Sequence, residues 1–406
     1  MRRITALAMT MIPFACSVSR EARVHELRPV LAHWVHRSDS FEPDWGDFMF
    51  DALSFATPTD GWIVGNRYFL HIVGDRISVT FVRPTRAWMG SLDCTSPDDC
   101  WTGGFRVKNE HANGVIWHLR GGRWIPADLS RLVWPDWFVG EVRASPQGEI
   151  WATASNELPR DHVLPPAPRR WRRTLLRSDG VTWSEEPTPC EGDRHWAFFD
   201  ACVQPSGESW FVGVDMVDPG TPHALAVRHR DDGWERMALP ELADPNTGLD
   251  AVQCLGGNRL IALGSTQPSD EARWARVVLR YDGAWQQIEL PEAFRHADVQ
   301  AIAAASDTDV WLALSTQGFR MRFRPTFLHW VAGVWTEVRP PVLPGGRVDG
   351  YLFRDMQFVS PDEGWAIGND NGAARGLIFH YKDSVWRLRN WDWHFWDAPG
   401  FGLWEH

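Results

Sequence analysis

Between Asn156 and Arg173 the chain gathers five arginines, Arg160, Arg169, Arg170, Arg172 and Arg173, with Trp171 among them and four prolines that restrict the segment. A guanidinium pairs with a carboxylate through two parallel hydrogen bonds and stacks on flat faces, so this composition suits recognition of acids, sugars or aromatic groups more than proton transfer. Trp134, Trp137, His195 and Trp196 lie in connections expected on the same side of the molecule. Arg169, Arg170, Trp171, Trp134, Trp137, His195 and Trp196 are therefore the candidate binding residues.

Catalytic signatures are missing from the sequence. There is no Gly-x-Ser-x-Gly, no His-Glu-x-x-His, no phosphate-cradling glycine loop followed by lysine and no calcium-loop spacing. Asn369-Asp-Asn-Gly372 reads as a turn. No Cys-x-x-Cys or His-x-x-x-His pair supplies zinc ligands, so neither a metal nor a cofactor is expected. A glycosidase with a tyrosine nucleophile would need a channel-facing tyrosine beside a carboxylate. Tyr281 and Tyr381 occupy equivalent repeat positions, which leaves Tyr68 and Tyr351 as candidates. Two carboxylates contributed by different repeats would serve a conventional glycosidase.

Cys94 and Cys100 flank a Thr-Ser-Pro-Asp-Asp turn. If the flanking strands pair in register, a disulfide there is geometrically easy. Cys202 and Cys254 have no partner matching Cys100; Cys190 is the expected mate of Cys202, and any free thiol is expected among Cys190, Cys202 and Cys254.

These residues are carried by a repeat. Inner tryptophans stand at Trp62, Trp101, Trp151, Trp210, Trp311 and Trp365, with Ile261 in the one vacancy; outer ones stand at Trp124, Trp183, Trp234, Trp285, Trp335 and Trp386. Successive outer tryptophans are 59, 51, 51, 50 and 51 residues apart. A period that steady marks one unit copied along the chain, each copy completing its core against its neighbours. Each copy resolves into four alternating or β-branched runs, A to D, separated by Ser-Pro-Asp, Asp-Gly and Gly-Gly turn signals. The chain is thus expected to be all-β: a β-propeller of four-stranded antiparallel blades, with the tryptophans packing between blades. Seven copies are complete. Val30–Val35 and Trp391–Trp404 could add strands at either end or compose an eighth blade. Trp151 and Trp183 are 32 residues apart, against 21 to 24 in the second and fourth to seventh copies, which places the arginine-rich insertion between strands B and C of the third.

Ser360-Pro-Asp-Glu-Gly-Trp-Ala-Ile-Gly368 followed by His380-Tyr-Lys-Asp-Ser-Val-Trp386 resembles bacterial secreted and lipoprotein β-propellers with Trp-x-x-Gly repeats. It is loosely similar to sialidase-type Asp-box propellers and to the propellers of photosystem assembly factors. Ser178-Asp-Gly-Val-Thr-Trp183 approaches an Asp box but lacks a spacer residue. The resemblance implies the fold and an envelope or extracellular setting, without implying a ligand.

Composition agrees. The 406 residues carry 41 basic and 52 acidic side chains, an excess of negative charge that argues against duplex nucleic acid or an anionic membrane as partner. Met1-Arg-Arg followed by an apolar run to Ala15 reads as a signal peptide over 1–15, and Ala15-Cys16-Ser17 resembles the end of a lipobox, with Cys16 the lipidation candidate. Residues 16–27 would be a linker and 28–406 a single propeller domain. The expected protein is exported to the cell envelope or secreted, with membrane contact only through that lipid. It is a non-catalytic binding or assembly module holding a protein or glycan partner on the B–C/D–A loop face. The alternatives are a propeller glycoside hydrolase or lyase acting on an extracellular polysaccharide, and a sugar-binding lectin.

Overall fold

The computed structural model describes residues 49–389, leaving out 66–67, 82–86, 109–110, 133–136, 158–170, 188–194, 219–220, 231–232, 243–245, 267–274, 318–322, 345, 349 and 371–374. The expected signal peptide, linker, Cys16 and the terminal segments proposed for an eighth blade lie outside the described residues.

Seven four-stranded antiparallel sheets make up the chain, each a meander A-B-C-D. Blade 1 is β1 (Phe50–Thr57), β2 (Asp60–Gly65), β3 (Tyr68–Val73) and β4 (Arg76–Phe81). Blade 2 is β5 (Ala87–Ser96), β6 (Asp99–Lys108), β7 (His111–Arg120) and β8 (Arg123–Pro126). Blade 3 is β9 (Trp137–Ala144), β10 (Ile150–Glu157), β11 (Trp171–Ser178) and β12 (Trp183–Glu186). Blade 4 is β13 (His195–Val203), β14 (Ser209–Asp218), β15 (Thr221–Arg230) and β16 (Gly233–Arg236). Blade 5 is β17 (Thr247–Gly256), β18 (Arg259–Thr266), β19 (Ala275–Asp282) and β20 (Trp285–Ile288). Blade 6 is β21 (Asp298–Ser306), β22 (Asp309–Gln317), β23 (Phe323–Val331) and β24 (Val334–Val338). Blade 7 is β25 (Tyr351–Ser360), β26 (Glu363–Asp370), β27 (Arg375–Lys382) and β28 (Val385–Arg389).

The tryptophans do what their spacing predicts, with a division of labour. Each inner tryptophan meets the outer tryptophan of the next blade nearly edge-on: Trp62 and Trp124 at 5.4 Å, Trp101 and Trp183 at 5.9 Å, Trp151 and Trp234 at 5.9 Å, Trp210 and Trp285 at 6.2 Å, Trp311 and Trp386 at 5.8 Å. Where Ile261 replaces a tryptophan it shares a core with Trp335, and Trp365 shares one with Ile77 of blade 1. Edge-to-face packing of this kind adds about 0.5–1.5 kcal/mol per pair beyond the apolar area removed from water. The other face of four inner rings stacks on a strand C histidine at 3.7–4.1 Å, as in Trp101 on His118 and Trp62 on His71. Each such histidine bonds a carboxylate at the start of strand B, His71 to Asp60, His118 to Asp99, His329 to Asp309 and His380 to Glu363. Trp151 and Trp210 take arginines in that place, Arg177 and Arg228.

A second device links the A strands. The residue opposite each inner position, Ser54, Asp93, Arg143, Cys202, Gln253, Ala303 or Gln357, faces the following blade. Ser54 accepts from the Cys94 N–H at 3.0 Å, Asp93 from Ala144 at 2.8 Å, Gln253 from Ala304 at 2.7 Å and Gln357 from Phe55 at 2.7 Å. The last bond closes the ring, with Asp355 accepting from Leu53 at 2.9 Å and Asn369 from Phe50 at 2.8 Å. Blade 7 therefore abuts blade 1, which decides for seven blades against the eighth-blade alternative.

Cys94 and Cys100 are directly opposed across the A–B hairpin and form the expected disulfide. The expected mate of Cys202 is corrected: Cys202 bonds Cys254 across the gap between blades 4 and 5, and Cys190 lies outside the described residues. Cys202 stands opposite the inner tryptophan, whereas Cys254 stands one place further along strand A, opposite Leu260. Successive strand residues point to opposite faces, so one thiol faces forward and the other back. Trypsin mapping of the non-reduced protein is expected to recover Cys94 linked to Cys100 and a cross-linked peptide joining Cys202 to Cys254. Removing residues 391–406 is expected to leave the melting temperature unchanged; a marked drop would show that the seven-blade ring is not closed by blade 1 alone.

Candidate functional site

Strand A is the innermost of each blade, and near its start it carries a bulge. The register slips past Asp51, Gly90, Phe199, Asp250, Gln300 and Arg354, and in blade 3 at Gly140-Glu141. A bulge re-aims the side chains around it, and here it brings charged groups from several blades to the central channel. Arg143 donates from Nη2 to Asp200 Oδ1 at 2.8 Å and from Nε to the Ala201 carbonyl at 3.0 Å, and its Nη1 lies 2.9 Å from Glu141 Oε2. Asp355, from the far side of the ring, acts electrostatically on both Glu141 and Arg143.

The carboxylates are held above their usual range. Burial pushes Glu141 up to about 8; Arg143 opposes, but its charge is divided with Asp200, and Asp200 and Asp355 reinforce the rise. Burial likewise raises Asp51 to about 7 and Asp250 and Asp355 to about 6, and raises Asp200 and Asp93. Arg143 is desolvated too, yet Asp200, Glu141, Asp93 and Asp355 together keep it charged.

Nearly every one of these groups is already bonded within the protein. Asp200 Oδ1 accepts from the Ala201 N–H at 2.8 Å as well as from Arg143, and Oδ2 from Val252 of blade 5 at 2.9 Å. Asp355 Oδ1 accepts from Met356 at 2.8 Å, while Oδ2 takes the Leu53 bond across the closing joint. Nearer the D–A end, Asp250 accepts from Ser265 at 2.9 Å, Asp298 from Arg276 at 2.8 Å, and Gln300 bonds Ser315 at 3.2 Å. Among the described residues no group of three or more His, Cys, Asp or Glu side chains is arranged to hold a metal.

The sequence-derived candidates fall differently. Arg169, Arg170 and Trp134 lie outside the described residues. Trp171 and His195 begin β11 and β13, paired with Glu157 and Met216, so both open strands on the B–C/D–A face. Trp137 is corrected from surface to core: it is 3% exposed among Trp101, Val139 and Trp183, in space left by Gly114, whose missing Cβ would come within 2.3 Å of its ring. Trp196 is half-buried against Phe198, with the Arg236 guanidinium 5.9 Å above its ring and Arg236 bonded to Asp215 at 2.6 Å. Tyr351, a candidate nucleophile, is fully buried in the core of blades 6 and 7, and burial raises its hydroxyl further above the physiological range. The channel residues escaped sequence reasoning; the available signal was a charged residue, such as Arg143, opposite an inner tryptophan.

No protein-family model matches the chain, and no curated protein matches it in sequence. Among solved structures, the WD40 propeller domain of Doa1 is similar at 11% identity and a TM-score of 0.46, over 83% of this chain and 94% of that one. The Hadza microbial sialidase Hz136 is similar at 14% identity and a TM-score of 0.45, over 78% and 73%. An ulvan-cleaving polysaccharide lyase is similar at 9% identity and a TM-score of 0.45, over 73% and 81%. Enzymes and WD40 domains thus stand side by side among these likenesses.

The raised carboxylates set the pH dependence. Folded Glu141 keeps a proton that the unfolded chain releases near 4.5, so unfolding free energy falls as pH rises from there to about 8. Asp51, Asp250 and Asp355 act with the same sign. Thermal denaturation across that window is expected to show the wild type losing stability and Glu141→Gln losing less; equal slopes would place the titration elsewhere.

Proposed function

We propose that the chain is an exported, non-catalytic β-propeller that captures a protein or glycan partner on the face where the B–C and D–A connections emerge. One observation carries the non-catalytic part: Asp200 and Asp355, which converge in the channel with Arg143, spend all four of their carboxylate oxygens on backbone N–H groups and on Arg143. A general base or nucleophile needs a lone pair directed at substrate. Asp200 and Asp355 instead direct theirs at neighbouring blades, and the convergence reads as ring closure.

Export is supported by the two disulfides, which persist in oxidising compartments. Cys16 is the proposed lipid attachment point if the first fifteen residues are removed. Capture on the B–C/D–A face is supported by the arginine-rich segment between β10 and β11, an island of positive charge on an acidic chain. Trp171 stands at its edge, where β11 begins.

The triple variant Arg169→Ala, Arg170→Ala, Trp171→Ala is expected to lose capture of partners from envelope extracts and from an acidic-oligosaccharide array while melting as the wild type does. Unchanged capture would move the site off this segment. Release of reducing ends or unsaturated products from the same oligosaccharides, abolished by Asp355→Asn, would replace the reading with a hydrolase or lyase.

A further inference from the structure

One charged group in the channel is not used by the protein. Arg354 occupies the bulge position of β25, and its Nε is buried without a hydrogen-bond partner. No ion pair or hydrogen bond reaches its guanidinium among the described residues. Its electrostatic neighbours are Asp51 on blade 1 and Asp298 on blade 6, the blades on either side of it. Both carboxylates belong to the A strands of the neighbouring blades, as Arg354 does, so the three meet at the inner edge of the ring. Burial lowers its pKa, the mark of a guanidinium that has given up water without full compensation.

Polar groups of blades 6 and 1 and an aromatic ring of blade 2 surround this position. Asp298 is engaged by Arg276, and Gln300 bridges Asp298 and Ser315 while holding the Phe353 N–H at 2.9 Å. Asp51 acts electrostatically on Arg354 and accepts from Trp88 Nε1 at 2.5 Å, and Trp88 is half-buried. Burial pushes the Asp51 carboxyl up to about 7. Gly90, at the bulge of the next blade beyond Asp51, adds no side chain to the space.

We infer that Arg354 is the anchor of a second site, at the channel mouth, for a small carboxylate-bearing sugar of the uronic-acid type. The carboxylate pairs with the guanidinium, and the hydroxyl-bearing ring lies against the hydrogen-bonded Asp51–Trp88 pair. Paired charge-assisted bonds suit a planar carboxylate, and an aromatic face beside a hydrogen-bonding carboxyl suits a sugar ring. The site is independent of the arginine-rich segment, whichever partner that segment captures.

The test uses the full chain, titrated with D-glucuronate, D-glucose, inorganic sulfate and a dipeptide with a free terminal carboxylate. Wild type is expected to bind glucuronate in preference to all three others. Arg354→Met is expected to bind it roughly tenfold more weakly or worse, with Arg354→Lys in between. Because Arg354 is unpaired, Arg354→Met is also expected to melt at or above the wild-type temperature. The Arg169→Ala, Arg170→Ala, Trp171→Ala variant should bind glucuronate normally, which separates this site from the captured partner. Lower stability of Arg354→Met would mark the arginine as structural and overturn the proposal. Absence of glucuronate binding, equal binding by wild type and Arg354→Met, or preference for sulfate or the peptide would overturn it as well.

Discussion

The step from one blade to the next is the constraint on which the rest of this molecule depends. A four-stranded sheet of this size cannot bury both faces alone, so each inner tryptophan is completed by an aromatic or aliphatic group of the following blade. The edge-on geometry of Trp62 with Trp124, repeated through Trp311 with Trp386, keeps the interblade step nearly constant. A constant step taken seven times returns β25 to β1, where Gln357, Asp355 and Asn369 bond the backbone of blade 1. Closure here is by side chain to backbone, with all four strands of blade 7 drawn from one contiguous stretch of chain.

Closure explains the channel chemistry. The A strands approach one another at the inner radius, where an unpaired N–H on one blade is shielded by the next and must find an acceptor. Ser54, Asp93, Gln253 and Gln357 supply it with different side chains, and between blades 4 and 5 a disulfide takes the same place. The position tolerates such variety because it asks for reach and an acceptor more than for shape. Charged residues accumulate there as a consequence of joining blades, and their raised pKa values follow from burial before any function is invoked.

The repeat was legible because tryptophan at a fixed period is rare and has one physical reading in a β-rich chain. The Cys94–Cys100 link was legible because both residues belong to one hairpin. Cys202 with Cys254 was not: Cys254 shares the position of Cys94, whereas Cys202 lies one place earlier, and a single residue of phase reverses the face of a strand. Trp137 was misread for a related reason, since the notch that receives it is the absent Cβ of Gly114 on another blade. Glu141, Asp200 and Asp355 come from blades 3, 4 and 7, and nothing in their local sequence says that they share a channel.

Arg354 stands out against this background. Arg143 has the same charge and a comparable depth, but Glu141, Asp200 and the Ala201 carbonyl engage it, and removing it would strand Asp200. Arg354 strands nothing if it is removed, because Asp51 already holds Trp88 and Asp298 already holds Arg276. The Arg354 Nε is withdrawn from water without a partner, which raises the free energy of the fold, and a neutral side chain of the same length would relieve it. Blades 2 and 3 carry glycine within their bulges and close into the same ring, so the geometry of strand A does not require a cation there. The cost of the unpaired Arg354 Nε is not offset by any bond among the described residues, and a carboxylate entering the channel to pair with it is the kind of group that would offset it.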